Sequence, residues 1–163
     1  MHLPITHYKR IIHSIFANPN GWENDILVFK YNSFLRSFSS ILMRVYPIKM
    51  QTMYRGILLE SKHRIGDTIP AIKERAYTSF STSKSSAKDF ADPSSPLAIF
   101  LNLQGKPNGF LIEHSPIESE ILFHHSWGEA MNFYTDFYAG FKCQKEVILF
   151  NDIPSFVLRS TNE

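Results

Sequence analysis

The chain has a single cysteine, Cys143, among 163 residues. No disulfide can form within it, which fits a reducing compartment. With one Cys and seven His, scattered apart from the adjacent His124-His125, no zinc-type ligand spacing exists and no metal site is expected. Cys143 has no His positioned in the sequence to activate it and reads as a small apolar filler. No apolar run approaches the roughly 20 residues needed to span a bilayer. Met1-His2-Leu3-Pro4-Ile5-Thr6-His7 is too polar, and broken too early, to be a secretory apolar core. A cytoplasmic protein with no membrane partner is therefore the expectation. The serine-rich stretch 79–86 lacks the Gly-x₄-Gly-Lys pattern, which excludes a Walker-type phosphate loop. There is no internal repeat and no low-complexity linker.

What the chain does have is enough apolar material for one domain over residues 1–163, with 44% apolar residues and fourteen Phe among its 14% aromatics. The net charge of +2 is unevenly spread. Residues 1–90 carry thirteen Lys/Arg against six Asp/Glu, and residues 91–163 carry four against nine. Such asymmetry points to a polyanion-facing surface on the first half, or to two solvated faces that neutralise each other.

Ile5, Tyr8, Ile11, Ile12, Ile15 and Phe16 recur at helical spacing, and Asn18-Pro19-Asn20-Gly21 breaks that helix. A second helix is predicted over 23–45, with Ile26, Leu27, Phe34, Leu35, Phe38, Leu42 and Val45 on its apolar face and Pro47 ending it. The first 50 residues are thus helical. Strands are predicted over 52–59, 76–83, 97–103, 109–114, 146–150 and 155–159, with a strand-like Ile121-Leu122-Phe123. Short helices are predicted from Ser83 to Ala91 and from about Trp127 to Phe137, and a turn at Gly105-Lys106-Pro107-Asn108-Gly109. Helices first and strands afterwards argue for an α+β fold with antiparallel sheets.

Several strands carry polar residues that a strand core would not choose. Tyr54-Arg55-Gly56 lies on the first, followed by Gly66-Asp67-Thr68-Ile69. Phe80-Ser81-Thr82-Ser83 comes next, and Gln144-Lys145-Glu146-Val147-Ile148-Leu149 last. In that order they resemble the motifs of the mono-ADP-ribosyltransferases of the arginine–serine–glutamate type, the group of the cholera-like and clostridial toxins. The resemblance covers about residues 50–160. It implies an ADP-ribosyltransferase fold, in which two packed antiparallel sheets form an NAD cleft. The N-terminal helices of residues 1–50 would lie beside a catalytic β core of residues 51–163.

The resemblance implies a role for each motif. Arg55 would hold the NAD phosphates and nearby ribose, a task suited to a planar, permanently charged fork of donors, with Tyr54 and Gly56 beside it. The alternative is a surface Arg at a strand end. Ser81 and Thr82 would brace the NAD pocket and orient the catalytic glutamate, with Ser83 adjoining. The alternative is a polar strand end in which Ser83 caps the following helix. Glu146 would stabilise the oxocarbenium-like charge that builds on the ribose as nicotinamide departs. Its alternative is a gatekeeper charge ahead of an apolar run. Glu118-Ser119-Glu120-Ile121-Leu122-Phe123 offers a rival, because Glu120 also precedes an apolar run and lies 39 residues after Ser81, against 65 for Glu146. Glu146 is preferred for the turn and strand that follow it, Asn151 to Leu158.

Gln144, two residues before Glu146, bears on the acceptor. In the family, Glu at this place goes with arginine acceptors, whereas Gln is found in enzymes that modify asparagine or guanine. The aromatic stretch Phe133–Phe141 could stack on a base if exposed, dock on a protein surface, or simply be core. The resemblance therefore implies a toxin-like transferase with NAD as co-substrate and a non-arginine acceptor, leaning to a nucleobase in RNA or DNA. A protein side chain is the alternative acceptor, an NAD glycohydrolase the alternative enzyme, and an α+β binding module the alternative without chemistry. A neutralising antitoxin would be a further partner.

Overall fold

A computed structural model describes residues 2–18, 21–59, 62–71, 74–92, 108–132 and 145–161. It is an α+β protein, with helices, an antiparallel sheet of five strands and a small sheet of two. Three helices come first: α1 (His2–Ala17), α2 (Trp22–Lys30) and α3 (Asn32–Val45). Then follow β1 (Met53–Leu59), β2 (Thr68–Pro70), β3 (Tyr77–Ser81), α4 (Lys84–Phe90), β4 (Asn108–His114), β5 (Ile121–His124), α5 (His125–Ala130), β6 (Glu146–Phe150) and β7 (Ser155–Val157). The large sheet runs β4-β1-β3-β6-β5, and β2 pairs with β7. None of the described helices is long and apolar enough to cross a membrane. The predicted strand over 97–103 lies outside the described residues.

The chain forms two compact units. The first holds residues 1–50, 72–79 and 117–152, and the second holds 51–71, 80–116 and 153–163. In the first unit, α1 buries Tyr8, Ile11, Ile12, Ile15 and Phe16, the stripe its periodicity predicts. Tyr8 donates to the Leu122 carbonyl at 2.7 Å, and Ser39 of α3 donates to the same oxygen at 3.0 Å. Two helices are thereby pinned to one point of β5. Trp127, fully buried, adds a third tie by donating from Nε1 to the Tyr46 carbonyl.

The single helix predicted over 23–45 is two helices, and the difference has a physical cause. Tyr31 ends α2 and begins α3 outside helical geometry, at φ −105° and ψ 24°. Its ring stands edge-on to His7, 4.4 Å away, which anchors the break to α1. The buried face of α2 is also not the predicted one. Asn24 and Asp25 are inside, while Ile26 is 52% exposed. Polar anchoring decides this: Asp25 Oδ1 accepts from the Ala76 amide at 2.8 Å and from Arg75 Nε at 3.2 Å. Asn24 accepts from Ser14 and donates to the Asn18 carbonyl. A buried carboxylate with two donors holds a helix more firmly than an isoleucine on its flank. On α3, Leu35, Phe38 and Leu42 are buried as predicted, whereas Val45 is exposed.

In the second unit, β1 and β4 pair over their whole lengths, from Met53 opposite His114 to Leu59 opposite Asn108. Helix α4 lies on this ladder at the two glycines Gly56 and Gly109. A side chain at Gly56 would collide with the backbone of Ala87, and one at Gly109 with that of Ala91. The sheet of β2 and β7 was not foreseen at β2. Three residues ending in Pro70 are too short a pattern to register. The strand is set instead by its approach: Gly66 takes φ +93°, its amide donates to the Leu158 carbonyl, and the Leu158 amide donates back to Asp67.

Candidate functional site

Strand β6 starts at Glu146. The residue before it, Lys145, has φ 48°, a left-handed kink that turns the chain into the strand. Val147 to Phe150 are buried, while Glu146 at the strand's mouth is half-buried. Its Oε1 accepts a hydrogen bond from Ser79 Oγ at 2.5 Å, within the range for a hydroxyl on a carboxylate. Both residues belong to the first unit. Sequence reasoning assigned the orienting hydroxyls to Ser81 and Thr82; the structure provides one on Ser79 as well. The signal was available: in a strand, Tyr77, Ser79 and Ser81 share a face, so each serine was a candidate.

Ser81, Thr82 and Ser83 belong to the second unit. Ser81 is buried, and its hydroxyl accepts from the Ser83 amide at 3.0 Å. Ser83 caps α4, its Oγ accepting from the Ser86 amide at 3.3 Å, so the capping alternative holds for this residue. Tyr54 lies opposite Ser81 in the β1–β3 ladder, with the Lys84 ammonium 5.6 Å from its ring centroid. Gly56 shares the Tyr54 face and meets α4, which gives it a packing role. Arg55 projects from the other face of β1, where it lies opposite Ile112. The described contacts thus bring Ser79 to Glu146 and Ser81 to the Tyr54 face, and they do not bring Arg55 to that face. Gln144, Cys143 and the aromatic stretch 133–141 lie outside the described residues.

Glu120 occupies a different setting. It ends a single 3-10 turn, Glu118–Glu120, and its Oε1 accepts from the Ile117 amide at 3.0 Å. Arg36 secures the same corner by donating to the Ser119 carbonyl and to both oxygens of Asp152. The register of β5 on β6 pairs Ile121 with Leu149 and His124 with Val147. Glu120 and Glu146 therefore sit at opposite ends of this ladder, about 13 Å apart for four residues of strand. Glu120 Oε1 closes its own turn.

At the Glu146 end of the ladder stand His124 and His125. Neighbours within one strand or one helix point different ways. The His124 and His125 rings instead stack, with centroids 4.3 Å apart and planes at 29°. The reason is that β5 ends at His124 and α5 begins at His125, so neither element's alternation governs the pair. His124 Nδ1 accepts from the Ser126 amide at 3.1 Å and caps α5. Burial, with the neighbouring His125, lowers the His124 pKa from its usual 6.5 to about 4.

The sign of the linkage follows. Because the folded-state pKa lies below the unfolded one, stability from a neutral His124 is full above pH 6.5 and is lost as pH falls toward 4. His124→Asn replaces the capping nitrogen by an amide oxygen that can still accept from Ser126, and removes the titration. Melting temperature between pH 7 and pH 4 is expected to fall less steeply in this variant than in the wild type. Parallel curves would show that His124 does not carry the effect.

No protein-family model, curated protein or solved structure matches this chain.

Proposed function

We propose that the chain is a toxin-like, NAD-dependent mono-ADP-ribosyltransferase that releases nicotinamide and passes ADP-ribose to a non-arginine acceptor, a nucleobase of RNA or DNA. The observation that carries the reading is the Ser79–Glu146 pair. A half-buried carboxylate at the first residue of a strand, tied by a hydroxyl, is held in one orientation with one oxygen engaged. Such a carboxylate can accept from a ribose 2′-hydroxyl. It then acts on the positive charge that develops only as the glycosidic bond breaks, which raises the rate rather than merely tightening binding. That Glu120 is occupied in its own turn supports Glu146 as the acid of the site.

The family resemblance assigns Arg55, with its bidentate donors, to the NAD diphosphate and Tyr54, Ser81 and Thr82 to the cofactor's border, whereas Ser83 serves as the cap of α4. Gln144 selects the acceptor through an amide that both donates and accepts. The basic first half of the chain favours a polyanionic acceptor. A cytoplasmic setting and a neutralising antitoxin belong to the same proposal.

Purified protein with NAD is expected to release nicotinamide, faster when total RNA or DNA is added, and to leave label on the nucleic acid. Labelling should shrink steeply as salt rises. Label confined to protein in a nuclease-treated lysate would move the acceptor to a protein side chain. Free ADP-ribose formed at full rate without any macromolecule would make the enzyme a glycohydrolase. Absence of nicotinamide under every condition would overturn the enzyme reading.

A further inference from the structure

Polar anchoring of α2 leaves an apolar face outside. Asn24 and Asp25 are buried, and Asp25 accepts from the Ala76 amide and from Arg75. Those bonds fix how the helix is rolled, so Trp22, Ile26 and Phe29 stay in solvent, with Trp22 67% and Phe29 55% exposed. Spacings of four and then three residues put all three on one side of the helix. Among the described residues, no other helix exposes three large apolar side chains. A cavity of about 340 Å³ runs beside the stripe, lined by these three with Asp25, Glu74 and Arg75. All six belong to the first unit.

An exposed apolar stripe of this kind marks an association surface, and the charges beside it select the occupant. Glu23 in the first turn and Lys30 in the last are both exposed. Seven residues apart, they stand two turns from each other on one flank of the stripe. Lys30 Nζ also lies 5.3 Å from the Tyr31 ring centroid. When two such helices pack face to face and antiparallel, a two-fold axis beside Ile26 brings each flank against the same flank of the other copy. Glu23 of each copy then falls opposite Lys30 of the other, and Trp22 of each approaches Phe29 of the other. A parallel arrangement puts the charges on opposite flanks and pairs neither.

We propose that the exposed face of α2 is an isologous interface, through which the chain forms a two-fold homodimer with α2 antiparallel to α2. Three large side chains on a helix of nine residues make a patch smaller than that of an obligate dimer. The association is therefore reversible and concentration-dependent. It is independent of the transferase reading.

Sedimentation velocity of the full chain over a concentration series tests it. The wild type is expected to pass from monomer to dimer as concentration rises. Ile26→Glu, which puts two carboxylates at the axis, should remain monomeric with an unchanged melting temperature. Glu23→Lys and Lys30→Glu should each weaken the dimer about tenfold, by turning two ion pairs into like-charge contacts. The double variant Glu23→Lys with Lys30→Glu should recover it. That swap sets both charges against the helix dipole, so recovery reports pairing between copies rather than a firmer helix. A wild type that stays monomeric at its highest soluble concentration would overturn the proposal. So would a dimer that Ile26→Glu leaves intact, since it forms elsewhere. Failure of the double variant to regain what the single charge changes lose would overturn the antiparallel pairing, whether or not Ile26→Glu folds.

Discussion

Glu146→Gln is expected to slow nicotinamide release from NAD by about 10²–10³, the usual cost of removing one group that stabilises transition-state charge. The substitution is chosen for what it keeps. Gln has the same length and its amide oxygen can still accept from Ser79, so strand β6, whose next four residues are buried, loses nothing in packing. Melting temperature should therefore hold. Only the negative charge is removed, and the rate falls because that charge is needed at the oxocarbenium-like stage. Ser79→Ala should act in the same direction and by less, since it releases the carboxylate without deleting it. Glu120→Gln is the control: its oxygen closes the 3-10 turn ahead of β5, and an amide oxygen can still accept from Ile117. Activity near wild type is expected there. If Glu120→Gln were instead the inactive protein, the catalytic motif would become Glu-x-Glu and an arginine acceptor would return.

The sequence made some elements legible and hid others for identifiable reasons. Helix α1 was readable because its apolar positions follow one period and its buried face agrees with it; strands β1, β4 and β6 were readable as short apolar runs bounded by turn residues, with no strict alternation of burial. The α2–α3 break was hidden because no Gly or Pro marks it; Tyr31 is held by a ring contact to α1, which periodicity cannot register. The inversion of α2, with Asn24 and Asp25 inside and Trp22, Ile26 and Phe29 exposed, depends on partners 51 residues away at Ala76 and 10 away at Ser14. In the candidate site, the place of Glu146 at a strand's mouth was legible from its apolar run. Its partner Ser79 was not assigned, although it shares a strand face with Ser81 and also carries a hydroxyl. The stacking of His124 on His125 was hidden because the pair straddles a strand end and a helix start.

The largest stability effect is expected from Gly56→Ala. A methyl group there would lie within the contact distance of the Ala87 carbonyl oxygen, 2.9 Å from its carbon and 2.8 Å from the Ala91 amide nitrogen. All three are backbone atoms of α4 or its cap, so no side chain can rotate to make room, and the helix must move off the β1–β4 ladder. Overpacking of this kind costs about 3 kcal/mol, the upper part of its usual range. For a chain of this size that is a drop in melting temperature of roughly 6–12 °C. Gly109→Ala meets the backbone of Ala91 and should cost a similar amount. The pair of changes is the sharper test. Both are relieved by one displacement of α4, so the double variant should be clearly more stable than the sum of the two single losses predicts. Additive losses would show that the two glycines admit the helix independently. Gly66→Ala supplies the contrast: nothing lies within 4 Å of its added methyl, and its cost, about 1–2 kcal/mol, comes from φ +93° alone. The consequence for function is direct. Gly56 neighbours Arg55 in the Tyr-Arg-Gly motif, yet its lack of a side chain is already required by α4. Activity lost in Gly56→Ala should therefore follow the fraction of folded protein, whereas activity lost in Arg55→Lys, at unchanged melting temperature, would follow the lost guanidinium fork.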